Sequence, residues 1–136
     1  KKFEFSMENN LQKKVVDIQM TEDTPRIILD ERKSIFSIEG PSYPEDAFTV
    51  YTTVLEWIKN TESKFVSGLE CKFKFKVISS ASHKMIYEIL IELEKLYKGF
   101  AKIKILWFYE KYDEDMLEVG EDFSDTIDLP FEFIPY

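Results

Sequence analysis

The chain has one cysteine and one histidine in 136 residues. A structural zinc site draws four ligands from such residues, so Cys71 and His83 together cannot supply one, and no metal or other cofactor is expected. With Cys71 alone, no internal disulfide can form, and a reducing cytoplasm is the expected compartment. Glycine (4 residues) and proline (5 residues) are scarce, and neither repeats nor low-complexity segments interrupt the chain. One layered domain is the simplest organisation. No apolar run reaches the ~18 residues of a bilayer span, so no membrane insertion is expected. The opening "KKFEFSMENN" also lacks the apolar core of a signal peptide. Positive charge is in short supply, with 18 basic against 26 acidic residues and a net charge of −8. Such a balance lacks the footprint that phosphate backbones require, and anionic lipid surfaces would repel it. Proteins, or cations, are the expected partners, and nucleic acid is not.

What is abundant is apolar and aromatic: 44% hydrophobic residues and 15% aromatic ones. A chain of this length can remove roughly two-thirds of its unfolded surface from water, enough for a ring-rich core. Residues 1–14 are polar and read as an N-terminal tail, with Met7 a candidate start and residues 1–6 then non-native; residues 15–136 read as the domain. "VVDIQM" (15–20), "RIILD" (26–30) and "SIFSIEG" (34–40) read as strands, the last two forming a hairpin across "ERK". "PSYPEDAFTVYTTVLEWIKN" opens a helix, with Ser42 or Tyr43 outside it and Pro44, Glu45 and Asp46 in its first turn. Phe48, Tyr51, Leu55 and Ile58 recur on one face, beside Val54 and Trp57. "LECKFKFKVIS" (69–79) alternates, with Leu69, Cys71, Phe73, Phe75 and Val77 on one side. Cys71 therefore reads as a small buried hydrophobe.

A second helix runs from about Ser80 or Ser82 to Lys98, with Gly99 as a left-handed stop. "AKIKILWFYE" (101–110) is a further strand. An acidic short helix follows, expected to break near Gly120, and "LPFEFIPY" ends the chain in extended form. Strand–helix–strand units of this spacing predict an α/β layered domain with a mixed, mostly parallel sheet.

The stretch "VISSASHKM" (77–85) puts three serines and the histidine at one strand-to-helix junction. Capping needs only one Ser, which accepts a hydrogen bond from an exposed backbone N–H and contributes about 1 kcal/mol. A nucleophile at Ser80 or Ser82 would need His83 as its base. Neighbouring helical side chains diverge, and no G-x-S-x-G elbow is present. A phosphorylation site is the third reading, since a helix N-terminus tolerates added negative charge. Downstream, Asp113, Glu114, Asp115, Glu118, Glu121 and Asp122 form an acidic block. Its spacing fails the calcium-loop pattern, because the sixth position from Asp113 is Glu118 rather than Gly. That block reads as a solvated face or protein-docking patch.

Several of these stretches together resemble the SiaC family of bacterial regulatory phosphoproteins. "TEDTP" matches its E-x-T-P turn and "GPSYPE" its G-x-S-x-P-E helix entry. The junction motif N-T-S-S-x-K is matched by Ser79, Ser80, Ala81, Ser82, His83 and Lys84. Trp107, Tyr109, Glu110 and the run Asp113 to Phe123 match W-x-Y-E and D-E-D-M-L-E-x-G-E-D-F, and "LPFEFI" closes the similarity, which spans about residues 15–134.

The resemblance implies a STAS-like (anti-sigma-factor-antagonist-like) domain acting as a non-enzymatic switch with no catalytic residues. A cognate serine/threonine kinase would phosphorylate the junction, and a PP2C-type phosphatase would reverse it. The unmodified form would activate an effector, a diguanylate cyclase, in cyclic-di-GMP signalling. The family's modified Thr aligns with Ser80, with Ser79 and Ser82 as alternatives. Ser82, His83 and Lys84 are expected to meet the partner. Two other classes stay open: a small hydrolase using a junction Ser, and a constitutive acidic docking module.

Overall fold

Strand β4 (Leu69–Ile78) determines the layering, because its side chains alternate. Leu69, Cys71, Phe73 and Phe75 are buried, whereas Glu70 is exposed and Lys72 and Lys74 are half-buried. A strand covered on both sides would read as an unbroken apolar run, so this one needs cover on one face only. The computed structural model describes residues 15–62 and 65–136. The expected tail at 1–14 lies outside them.

Among the described residues, six strands lie side by side in chain order: β1 (Val15–Ile18), β2 (Arg26–Asp30), β3 (Ile35–Ser42), β4, β5 (Ile103–Tyr109) and β6 (Phe131–Pro135). The β1–β2 and β2–β3 pairs are antiparallel, and the remaining three are parallel. Helices α1 (Ala47–Asn60), α2 (Ser80–Lys98) and α3 (Glu114–Thr126) are the crossovers between the parallel strands. Successive crossovers of one hand between adjacent strands stack every helix on the same face. The result is the expected single α/β layered domain with a mixed, mostly parallel sheet.

The core lies between that face and the helices. Trp107 on β5 has no exposed surface and stacks on Phe73 of β4 with ring centroids 6.0 Å apart. Phe75 and Phe123 approach the same indole at 5.9 and 5.7 Å. Its Nε1–H donates to the Met116 carbonyl of α3 at 3.0 Å, which satisfies the one polar atom the ring buries. Gly120 is the reason α3 can approach so closely. A Cβ there would fall 2.5 Å from the indole Nε1. So Gly120 does not break the acidic helix, which runs unbroken from Glu114 to Thr126. It supplies room for a ring.

Helix α1 begins at Ala47, with Asp46 as its N-cap, so Pro44 and Glu45 precede the helix instead of opening it. Phe48 is 63% exposed and lies off the buried stripe of Ala47, Tyr51, Val54, Trp57 and Ile58. Val77 is 45% exposed, because the β3–β4 register slips between the Gly40–Phe75 and Ser42–Ile78 pairs and breaks the alternation. Helix α2 stops through Phe100 rather than Gly99. The Phe100 N–H donates to Tyr97 and the Ala101 N–H to Leu96, with Phe100 at φ 76° and Gly99 at φ −85°.

Phe100 is 95% exposed and so pays a left-handed backbone without a packing return. Replacing it with glycine, Phe100→Gly, should raise unfolding free energy by about 0.5–1 kcal/mol. Urea denaturation would register this as a higher midpoint at unchanged slope; a lower midpoint would contradict it.

Candidate functional site

The serine junction forms where β3 and β4 end together. The Ser42 carbonyl accepts a hydrogen bond from the Ser79 N–H at 2.8 Å, fixing the last residue before α2. Ser79 is the N-cap: its Oγ accepts from the Ser82 N–H at 3.1 Å. Capping therefore occupies one hydroxyl, as one Ser suffices to do. Ser82 points the other way. It has no exposed surface, and its Oγ accepts a hydrogen bond from the Ser42 Oγ at 2.7 Å. Ser42 Oγ lies 2.5 Å from the Tyr51 hydroxyl. Because each serine hydroxyl has a single proton, Tyr51 donates to Ser42 and Ser42 to Ser82.

Ser80 differs from both. It is the first residue of α2, exposed, and its side chain makes no hydrogen bond to any described residue. The three serines thus divide into one cap, one core member and one free hydroxyl. Ser82, expected to meet the partner and to serve as an alternative acceptor, is instead buried beneath the first helical turn, leaving no surface for a protein or a transferase to reach. Ser42 lies outside the helix as expected, but it ends β3 and is buried.

His83 and Lys84 are exposed on α2. The His83 ring stacks on Phe123 of α3 with centroids 4.6 Å apart, and Tyr87 lies over the same ring at 6.4 Å. This contact brings the acidic helix beside the junction, a juxtaposition that spacing along the chain does not reveal. Glu114, Asp115, Glu118, Glu121 and Asp122 are exposed on α3. Asp113 serves the helix itself, its carboxylate accepting from the Met116 N–H at 3.1 Å as N-cap.

No group of three His, Cys, Asp or Glu side chains suited to a metal exists among the described residues. The Ser82–His83 pair needed for a nucleophile does not form, since Ser82 faces inward to Ser42 while His83 lies outward on Phe123. Cys71 is fully buried, and burial pushes its thiol well above the ordinary range, which leaves it unreactive. An open cavity of 470 Å³, lined by Ser34, Gly68, Tyr97, Lys102 and Lys104, lies at the opposite end of the parallel strands. The junction is a surface site.

Residues 18–136 match the model of the SiaC family of regulatory phosphoproteins. The chain belongs to that family. It is 27% identical over 111 residues to an uncharacterized protein of Pseudomonas aeruginosa strain UCBPP-PA14, covering 82% of this chain and 88% of that protein. SiaC of Pseudomonas aeruginosa has the same fold, with a TM-score of 0.81 at 24% identity over 90% of this chain and 98% of SiaC. The crystal structure of the diguanylate cyclase SiaD in complex with its activator SiaC, also from Pseudomonas aeruginosa, matches with a TM-score of 0.82. Identity there is 25%, over 89% of this chain and 99% of the matched chain. Among the described residues, no helix of this SiaC-family chain is long and apolar enough to cross a membrane.

Sequence reasoning missed Ser42 and Tyr51 as part of the junction. A usable signal was present: a tyrosine inside the apolar stripe of α1 must find a partner for its hydroxyl. Burial pushes the Tyr51 phenol up to about 12, and the neighbouring Ser42 and Ser82 hydroxyls, which can turn to donate to a phenolate, pull the other way. A raised folded-state value means stability is full below pH 10 and is lost as pH climbs toward 12, because the unfolded chain gives up that proton first. Wild type should lose about 2–3 kcal/mol across this window. Denaturant titrations at stepped alkaline pH should show a markedly shallower loss for Tyr51→Phe; parallel curves would refute the assignment.

Proposed function

We propose that this SiaC-family protein is a non-enzymatic switch, reversibly phosphorylated on Ser80, whose unmodified form binds and activates a diguanylate cyclase. A cognate serine/threonine kinase would add the phosphate and a PP2C-type phosphatase would remove it, both acting in the cytoplasm. The observation carrying the choice of Ser80 is that it alone among the junction serines has an exposed hydroxyl outside any hydrogen bond to a described residue. Ser79 is the weaker alternative, since modifying it would remove a helix cap. The partnership with a cyclase is supported by the SiaD–SiaC complex of the relative.

Magnitudes separate two ways in which such a phosphate could act. A charge at a helix N-terminus shifts stability by roughly 0.3–1 kcal/mol, up to ~2 when partly buried. A domain's stability is typically 5–15 kcal/mol, so the fold would scarcely notice. An unpaired charge forced into an interface costs about 2–5 kcal/mol. At 1.4 kcal/mol per decade that is ~30-fold to several thousand-fold in affinity. Here the phosphate would add about −1.5 to −2 charges beside an already acidic helix. The docking surface we infer is the entrance of α2, with His83 and Lys84 in contact and the exposed carboxylates of α3 as a flanking acidic patch.

Peptide mass mapping of protein from its own host should find one phosphate on Ser80, absent from Ser80→Ala. Ser80→Asp should bind the host's diguanylate cyclase about 30-fold or more weakly, read by calorimetry, with a melting temperature nearly unchanged. Unaltered affinity would favour a constitutive acidic docking module instead. A collapse in melting temperature with intact binding would contradict the switch.

A further inference from the structure

Ser42 and Ser82 are the two polar side chains with no exposed surface among the described residues, and one hydrogen-bonded chain joins both to the equally buried Tyr51. Stability alone does not explain them. A buried hydrogen-bonded pair can often be replaced by apolar groups of the same shape at little net cost. What such a network adds is direction, because each bond has one geometry.

The three hydroxyls come from three different elements: the end of β3, the second turn of α1 and the first turn of α2. They converge beneath a single feature, the turn that displays Ser80. Ser82 is held there at two points, its N–H by the Ser79 cap and its side chain by Ser42. Ser42 grips the same turn a second time through its carbonyl, which accepts from Ser79. Ser80 therefore lies between two anchored residues. The Tyr51 phenol stays protonated far above neutral pH, so it remains a donor.

We propose that Tyr51, Ser42 and Ser82 are positioning residues for phosphoryl transfer to Ser80: their hydroxyl chain clamps the first turn of α2 so that the Ser80 Oγ is presented on an already helical backbone. The inference rests on Ser80 as the acceptor. In that transfer the Ser80 Oγ bonds to the γ-phosphorus of ATP, the bond from that phosphorus to the ADP oxygen breaks, and the hydroxyl proton passes to a base on the kinase. None of the three touches the reacting atoms. They fix where the acceptor stands.

The clamp can be tested without the kinase. A Ser80→Cys variant carries one exposed thiol, since Cys71 is fully buried. At a formed helix N-terminus that thiol titrates below its ordinary value of about 8.5. Followed by thiolate absorbance, its titration should move back toward 8.5 by about half a unit or more when Tyr51→Phe or Ser82→Ala is added. Its labelling rate at pH 7 with a disulfide reagent should fall about threefold. General loss of stability would not move either readout while the protein stays folded. If Ser82→Ala fails to fold, Tyr51→Phe decides, because it removes a single oxygen. With Ser80 intact, phosphate occupancy in host cells should also drop at least threefold in Tyr51→Phe. A thiol titration identical in every background overturns the clamp. Absence of phosphate on Ser80 in wild type overturns the acceptor reading instead, and leaves the clamp standing on the thiol result.

Discussion

Ser42 holds the entrance of α2 with two atoms at once, its carbonyl on the Ser79 N–H and its hydroxyl on Ser82. That double hold is what the proposed docking surface depends on. β3 and β4 are parallel neighbours, so their ends arrive together, and the register slip before Ser42 brings it level with the start of the helix. Without the hold, the first turn of α2 would have only its cap and the His83–Phe123 stack to order it, and helix ends fray readily. With it, Ser79, Ser80 and Ser82 take three distinct environments within four residues.

A second constraint keeps the neighbouring helix in place. Trp107 fills the space between sheet and α3, and Gly120 yields the volume the indole needs. This close approach brings Phe123 over the indole and under His83, so α2 and α3 meet at the junction. The helix-free face of the sheet is of a different character. Lys72 and Lys74 lie 3.3 and 3.7 Å from Glu39, and Lys74 also stands over the Tyr136 ring at 4.3 Å. Half-buried but solvated pairs of that kind contribute little to stability, but they keep an uncovered sheet face solvated. Charge is thus distributed by face: mixed on the open sheet, acidic along α3 beside the junction.

The layering was legible in the sequence because β4 alternates over seven residues, and a two-residue period has one interpretation in a sheet. Ser80 as a candidate was legible too, from its place between a strand and an apolar-periodic helix. What stayed hidden depended on contacts distant in the chain. Gly120 looked like a breaker because its partner, Trp107, is thirteen residues earlier and on another element. Ser82 looked like a surface residue because nothing local shows that Ser42, forty residues before it, offers a buried proton. Phe100 was missed for the opposite reason, since the left-handed stop passed over the adjacent glycine, an outcome propensity argues against.

On the proposed reading, the switch lies in what can dock at Ser80 and not in how the chain folds. Amide hydrogen exchange on protein carrying phosphate on Ser80, compared with the unmodified chain, tests it most directly. A docking switch leaves protection unchanged through β4, α1 and the body of α2, with differences confined to the amides of the first turn of α2. Lost protection spreading through α2 and into the sheet would mean the phosphate unlatches the fold, and would contradict it.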